Sequence, residues 1–386
     1  MILWVPFLLE ASHIPFLSIS IPSFPLSLGR ICLVFLGIIG INFSEKKNRS
    51  PFDKVILLIV LGSFIGTIFS EDIIGNLVSN IGFSLLLISV ISASSLLRLP
   101  ETQRLLKYFF YLAFVYWVIY VLGLTLVGGK LITYAEIYKA NRETDTSLIN
   151  YHSFGFVISV SIVYLSQLNG WLKKVSPIGL VFILGGLFTI FITENRANLV
   201  ITVLVLLAFY VSNNKLKLKT IVFLCLVLII IGSTVSSIMS SNERLNIRYD
   251  INNTEYIQLT TKSRVDFIVL TFEELSRLPF GGGVKNNRVN YYGTEYQPHN
   301  QYLTFILFAG VLGLLANIIW FIIFAKTGRG IVKNNFDYYK PHFAALTVTM
   351  LVLFTNDLSG ASFFLIMMFQ TWLAKELLSR RKIKLQ

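Results

Sequence analysis

The chain has 386 residues, of which 54% are hydrophobic and only 14% are charged, and its formal net charge is +13. A soluble domain is about 25% charged, so this composition excludes an ordinary soluble globular protein. Apolar runs long enough to cross a membrane as helices recur along the whole length. In lipid the backbone must satisfy its own hydrogen bonds, which makes such runs helical. The sequence therefore predicts an all-α polytopic membrane protein with residues 1–386 in a single transmembrane domain.

The predicted spans begin with an irregular one within residues 1–22, which is interrupted by three prolines. Eleven further spans follow in chain order at residues 26–43, 53–70, 73–97, 105–127, 149–168, 176–193, 197–212, 218–240, 302–325, 342–356 and 361–378. The pattern thus predicts about twelve transmembrane helices.

Basic residues are concentrated in alternate loops between these spans. One set of loops, with the C-terminus, holds 21 Lys and Arg but only 5 Asp and Glu, whereas the rest of the chain holds 12 and 15. Loops rich in Lys and Arg stay cytoplasmic, so we expect both termini in the cytoplasm. The positive charge then faces anionic membrane lipid, which argues against a nucleic-acid partner.

Two outer loops, at 128–149 and 241–301, are longer than the others and are where we expect function. In the larger loop, Ser263 to Asp266 has the pattern of a capping box that opens a helix over 264–278, and Pro279 ends it. Apolar residues fall on one face of this helix: Val265, Ile268, Val269, Phe272 and Leu275. This spacing predicts a helix lying along the membrane surface.

His299 closes the large loop, directly before Asn300 and the span predicted at 302–325, so we expect it at the outer membrane edge. Its ordinary pKa of about 6.5 suits proton transfer near neutral pH. The alternative interpretation is an N-terminal cap, in which His299 and Asn300 hydrogen-bond to the helix end.

A polar turn, Thr193-Glu194-Asn195-Arg196, divides one apolar stretch into two short spans. Helices of 16 to 17 residues are only about 25 Å long, so we expect the turn to be recessed below the outer headgroups. An arginine at that depth is usually functional, and its planar fork matches phosphate oxygens. The alternative is a local ion pair between Glu194 and Arg196.

Other candidates are weaker. His152, at the outer start of a span, is a candidate for lining the same cavity, although a packing role is the alternative. The sequence has no nucleotide-binding loop, no paired-aspartate nucleotide-sugar motif, no His or Cys metal-ligand spacing and no serine-hydrolase motif. We therefore expect neither a cofactor nor a metal.

Several of these residues together resemble one known family. His299-Asn300, followed after nine residues by Gly310-Val311-Leu312-Gly313, is similar to the His-Asn-x9-Gly-x-x-Gly signature of the O-antigen polymerase/ligase superfamily. The preceding Pro279-Phe280-Gly281-Gly282-Gly283 resembles that family's Pro-x-Gly-x-Gly segment. Arg264 resembles its loop arginine. Arg196 resembles the arginine of its Ser-Arg turn, although Asn195 replaces the serine here.

The resemblance implies a GT-C-like glycosyltransferase of the bacterial inner membrane that acts at the outer leaflet. Its substrates would be undecaprenyl-diphosphate-linked oligosaccharides, with no metal or nucleotide sugar, and a chain-length regulator is a candidate partner. Because the lipid diphosphate is already a good leaving group, the enzyme mainly has to stabilise its negative charge. The candidates for that task are Arg196 and Arg264, with Arg288 as a helper, and His299 is the candidate base for an inverting transfer. Further candidates to line the substrate cavity are Asn300, Arg142, His152 and Tyr302.

Three functions compete. We favour a polymerase of O-antigen or related repeat units, because both outer loops carry arginine, Arg142 being in the smaller one. The second is a ligase that joins the finished polymer to the lipid A core. A flippase or transporter is the alternative of another class, but such proteins usually have repeated halves, and the sequence has no internal repeat.

Overall fold

The computed structural model describes residues 2–11, 27–43, 50–125, 151–173, 176–193, 195–213, 254–285, 288–291, 293–298, 300–334, 337–354 and 361–383. The chain forms two compact units. The first unit combines Met1–Phe109 with Arg264–Gln386, and the second is Phe110–Ser263.

Almost all of the described chain is helical. The α-helices are α1 (Trp4–Ala11), α2 (Leu28–Asn42), α3 (Pro51–Ile68), α4 (Ile73–Ala93), α5 (Pro100–Thr125), α6 (Tyr151–Leu168), α7 (Pro177–Ile192), α8 (Arg196–Asn213), α9 (Thr254–Arg277), α10 (Gln301–Lys333), α11 (Lys340–Val352) and α12 (Ala361–Ile383). Two 3-10 helices, Ser94–Arg98 and Asp337–Tyr339, continue α4 and precede α11. A small antiparallel hairpin, β1 (Val289–Tyr291) and β2 (Thr294–Tyr296), lies in the large loop; the all-α prediction did not include it.

Five helices in the described part are long and apolar enough to cross a membrane: α3, α4 with its 3-10 extension, α5, α8 and α10. Shorter apolar helices are α2, residues 155–168 of α6, and α7. The chain is therefore a predominantly helical integral membrane protein. The span predicted at 218–240 and most of the first one lie outside the described residues, so the count of twelve stays a prediction.

Local sequence determines where several helices begin. Ser50 caps α3 by accepting from the Phe52 N–H, and the Asp53 carboxylate accepts from the Ser50 N–H in return. Pro51 occupies the first turn, where its missing N–H costs nothing. Ser176 and Pro177 start α7 in the same way.

α10 is not a straight rod, because its backbone breaks at Gly310 (φ 57°, ψ −135°). The Asn317 side-chain amide donates to the Tyr302 carbonyl at 2.8 Å, and the Tyr302 ring lies 4.8 Å from that of Phe321. Residues so far apart in sequence meet only if the chain reverses. The chain before the break, Gln301–Ala309, therefore folds back along the chain after it, Val311–Lys333. We call these the re-entrant segment and the long segment. An apolar span in this region is confirmed, but the predicted start at residue 302 is wrong, since a glycine with positive φ reverses the chain inside residues 302–325.

The reversal sets the depth of the motif residues. At 1.5 Å per residue the long segment measures about 34 Å, enough to cross the roughly 30 Å hydrocarbon layer alone. Asn300 lies ten residues before Gly310 and therefore about 15 Å from the turn. It does not sit at the outer end of the membrane-crossing helix, as expected, but beside its middle.

The loop helix α9 differs from the prediction at one end. It begins at Thr254, so Ser263 lies inside it and the expected capping box there is wrong. No Gly or Pro interrupts residues 254–262, which lets the helix start earlier. Its end at Arg277, just before Pro279, is confirmed. Val265, Ile268, Val269 and Phe272 are exposed.

Candidate functional site

The glycine-rich segment after α9 supports the backbone break in α10. Gly282 and Gly283 donate their N–H groups to the carbonyls of Leu307 and Phe308 at 2.9 and 3.1 Å. The Val311 N–H donates to the Pro279 carbonyl at 2.9 Å. These hydrogen bonds replace helical ones lost at the break, so buried backbone groups stay satisfied. The Pro-x-Gly-x-Gly and Gly-x-x-Gly motifs are therefore one structural unit.

Glycine is required at several positions of this unit. Gly281, Gly283 and Gly310 all have positive φ, a conformation that disfavours residues with a Cβ. A Cβ on Gly310 would overlap the Pro279 carbonyl oxygen. A Cβ on Gly313 would overlap the Phe305 carbonyl oxygen, so Gly313 lets the re-entrant segment approach closely.

Asn300 caps the re-entrant segment. Its Oδ1 accepts from the N–H groups of Tyr302 and Leu303 at 3.0 and 3.3 Å, and its Nδ2 donates to the Phe354 carbonyl at 3.1 Å. The Gln301 N–H donates to the Leu353 carbonyl at 3.0 Å. The first N–H groups of this helix are thus all used. The helix end has none to offer a phosphate, so binding an anion requires side chains.

The N-terminal cap expected as an alternative is confirmed for Asn300, whose side chain hydrogen-bonds to the helix end. His299 itself lies outside the described residues. The next candidate, Tyr302, is buried, and its hydroxyl donates to the Met350 carbonyl at 2.8 Å. This placement favours packing over substrate contact for Tyr302, because its only polar side-chain atom already has a partner.

In the second unit, the described residues of the polar turn between α7 and α8 are buried within the protein, and the depth of the turn in the membrane stays a prediction. Thr193, Asn195 and Asn198 are each at most 3% exposed. Asn195 caps α8 by accepting from the Asn198 N–H at 3.3 Å. Arg196 is the first residue of α8 and is half-buried. Glu194, its expected ion-pair partner, lies outside the described residues.

The two loop arginines of the first unit are both exposed. Arg264 lies on α9 next to Val265, within the exposed apolar surface of that helix. Arg288 precedes β1 and pairs with Glu295 of β2 at 3.7 Å. The carboxylate offsets much of the charge that Arg288 would present to a diphosphate. Arg142 and the His152 side chain lie outside the described residues.

Sequence reasoning missed the residues that fix the glycine-rich segment to α4. The buried Asn76 side chain accepts from the Lys285 N–H at 2.7 Å. The Lys285 ammonium pairs with Asp72 at 3.0 Å, and Asp72 also accepts from the Gly75 N–H. The hydrogen bond from the Gly75 N–H is the largest cause that lowers the pKa of the Asp72 carboxyl, and the interaction with Lys285 lowers it further. Because Lys285 is more than 200 residues distant in sequence, no local signal identifies these contacts.

Within the described ranges no group of three or more His, Cys, Asp or Glu side chains is arranged to hold a metal ion. The polar chemistry of the described site therefore comes from arginine, carboxylate and amide side chains.

Residues 179–318 match the family model described as O-antigen ligase. This segment is similar to the O-antigen ligase family. This finding confirms the resemblance to the O-antigen polymerase/ligase superfamily and the expected connection with membrane polysaccharide synthesis. No curated protein matches the chain. The family segment includes the polar turn, α9, the glycine-rich segment and the re-entrant segment, whereas Arg142 and His152 precede it.

Proposed function

We propose that the chain is a membrane glycosyltransferase that transfers an undecaprenyl-diphosphate-linked glycan to an acceptor sugar hydroxyl at the outer leaflet. The observation that carries this proposal is the O-antigen ligase family match over residues 179–318. The proposed transfer needs no metal and inverts the anomeric configuration, because the acceptor attacks the anomeric carbon directly as the lipid diphosphate leaves.

Each proposed residue has one task. His299 removes the proton from the acceptor hydroxyl. Arg196 and Arg264 stabilise the negative charge of the diphosphate as it leaves. The first N–H groups of the re-entrant segment are already hydrogen-bonded within the protein, so they do not bind the diphosphate. This supports the assignment of that task to arginine side chains. Arg288 contributes less, because Glu295 offsets its charge.

The proposed topology is that of a GT-C-like protein in the bacterial inner membrane. It has about twelve spans, both termini in the cytoplasm, and the active site open to the outer face with α9 along the membrane surface. The alternation of basic loops supports this arrangement. The exposed Val265, Ile268 and Phe272 support the surface position of α9.

Polymerisation of O-antigen or related repeat units is the proposed reaction. The ligase, which moves finished polymer to the lipid A core, is the second candidate, and the match to the O-antigen ligase family favours it. Both reactions use the same donor chemistry and differ in the acceptor. Their products in a bacterium therefore distinguish them.

The test is the lipopolysaccharide ladder of a strain from which the gene for this chain has been deleted. A polymerase deletion leaves single repeat units on the lipid A core, whereas a ligase deletion leaves polymer on the lipid carrier. An unchanged ladder would overturn both candidates. Accumulation of repeat units on the cytoplasmic side would indicate a flippase instead.

The site assignment is tested in the same strain. His299→Gln should fail to restore the ladder although the protein still inserts, as measured by its amount in the membrane fraction. His13→Gln is the matched control, since His13 lies outside every motif. A normal ladder from His299→Gln would remove the proposed base and leave the family assignment intact.

A further inference from the structure

A cleft of about 290 Å³ lies beside the glycine-rich segment in the first unit. Its walls come from the turn between α3 and α4, the end of α9, the β-hairpin and the re-entrant segment. This volume is close to the lower limit of ligand pockets, about 300 Å³. The cleft therefore has room for a small organic group rather than a long chain.

The polar lining has more acid than base. It contains Glu71, Glu274, Glu295, Lys285 and Arg288. The two cations and two of the carboxylates are in ion pairs: Arg288 with Glu295, Glu274 with Arg277, and Lys285 with Asp72. Glu71 has no ion pair among the described residues. Its carboxylate is thus available to accept hydrogen bonds from a ligand.

The other side of the cleft is apolar. Leu275 of α9, Leu278 just after it, and Ile306 and Leu307 of the re-entrant segment all line the cleft. Phe69 also lines the cleft and stacks on Phe280, with ring centroids 5.2 Å apart at 17°. Both rings are about half exposed. An exposed aromatic surface beside carboxylate acceptors fits a ligand that has apolar C–H groups and hydroxyls.

The charges restrict which ligand fits. An excess of carboxylate repels a phosphate or an acidic sugar, whereas neutral hydroxyls and ammonium groups donate to carboxylates favourably. No three potential metal ligands converge in the described part of the chain, so the carboxylates do not form a metal site. The cleft includes Gly281 and Gly282 of the glycine-rich segment and Ile306 and Leu307 of the re-entrant segment, which begins at the residue after Asn300.

We propose that this cleft is a subsite for a neutral or amino sugar of the glycan, with Glu71 accepting hydrogen bonds from the sugar and Phe69 packing on its C–H face. This subsite rests on the proposed glycosyl transfer. It adds that the cleft determines which class of sugar the enzyme accepts. In this proposal the diphosphate lies outside the cleft, and Arg288, which lines the cleft and pairs with Glu295, contributes little to its binding.

The experiment measures binding by calorimetry to the full chain in nanodiscs. One ligand is the oligosaccharide released by mild acid from the host's lipid-linked repeat unit, and the other is undecaprenyl diphosphate without sugar. Glu71→Gln should weaken oligosaccharide binding about tenfold, the loss of one charge-assisted hydrogen bond, and leave binding of the diphosphate lipid unchanged. Digalacturonic acid, an acidic sugar probe, should not bind the unaltered protein.

Glu273→Gln is the matched control, because Glu273 is exposed on α9 next to Glu274 but does not line the cleft. It should bind both ligands like the unaltered protein. Equal oligosaccharide binding by Glu71→Gln and the control, or tight binding of digalacturonic acid, would overturn the subsite. Binding of the diphosphate lipid alone would also overturn it while leaving the proposed function standing. Binding of neither ligand would count against both.

Discussion

The side-chain amide of Asn317 donates to the carbonyl oxygen of Tyr302 at 2.8 Å, although fifteen residues separate them. In an uninterrupted helix these residues would be about 22 Å apart. The contact therefore exists only because the chain reverses at Gly310. It places Asn300 beside the middle of a membrane-crossing segment rather than at its end.

Gly310→Ala should destabilise the protein by about 2 kcal/mol or more, because a Cβ is strained at this positive φ and overlaps the Pro279 carbonyl oxygen. The measurement is the free energy of unfolding in detergent. Gly82→Ala is the matched control within α4. No atom lies within 4 Å of its added Cβ, so it should be neutral or gain about 0.5–1 kcal/mol. Equal stability of both variants would contradict the reversal.

Asn300→Ala should lower the free energy of unfolding by about 1–3 kcal/mol, since it removes a helix cap and the hydrogen bond to Phe354. Asn334→Ala provides the comparison. Asn334 also donates to a helix carbonyl, that of Gly330, but is exposed, and its loss should cost less than about 0.5 kcal/mol. If Asn300 instead contacted substrate only, its alanine variant would lose activity without losing stability.

The ion pair between Asp72 and Lys285 should fix the glycine-rich segment in a pH-dependent way. The folded pKa of Asp72 is lowered, below an ordinary value of about 3.9. The stabilisation is therefore fully present above that ordinary value and is lost as pH falls through the folded pKa.

Hydrogen exchange of residues 281–285 measures this effect. At pH 6 the unaltered protein should be better protected than Asp72→Asn, which keeps a cap for α4 but removes the charge. The difference should shrink at pH 3 and also in high salt, because the pair is exposed. Identical protection at pH 6 would show that the ion pair does not hold the segment.

Arg264 and Arg277 provide a matched pair on α9, both exposed. Arg264→Ala should reduce turnover of lipid-linked substrate by about 10²–10³, the usual effect of removing one group that stabilises developing charge. Arg277→Ala, near the end of the helix, should retain nearly full turnover. A comparable loss in both variants would mean that general positive charge on α9 matters, and not a specific role for Arg264.

The helical spans could be predicted because lipid imposes a simple rule: a long apolar run must become a helix. Helices α2 to α8 lie within a few residues of the predicted spans. The predicted capping box at Ser263 was wrong because a capping-box pattern is local. It does not show whether a helix has already begun upstream, and here the helix begins at Thr254.

The candidate site was predictable only in part. Residue pattern pointed to Arg196 and His299, the family resemblance added Arg264, and the family match covers all three positions. The sequence offered the Asn300 cap as an alternative, but it did not reveal that Asn300 donates to Phe354, that the Tyr302 hydroxyl donates to Met350, or that Arg288 pairs with Glu295. Those outcomes depend on residues that approach only after folding.

The sequence by itself determined that this is a helical membrane protein, because apolar length is a property of the linear chain, and the order of its motifs showed the resemblance to the O-antigen polymerase/ligase superfamily. Tertiary structure alone decided that the two glycine motifs join and that α10 turns back at Gly310. The physical reason is that the backbone groups released by the break must find partners, and those partners come from the glycine-rich segment nearly thirty residues earlier.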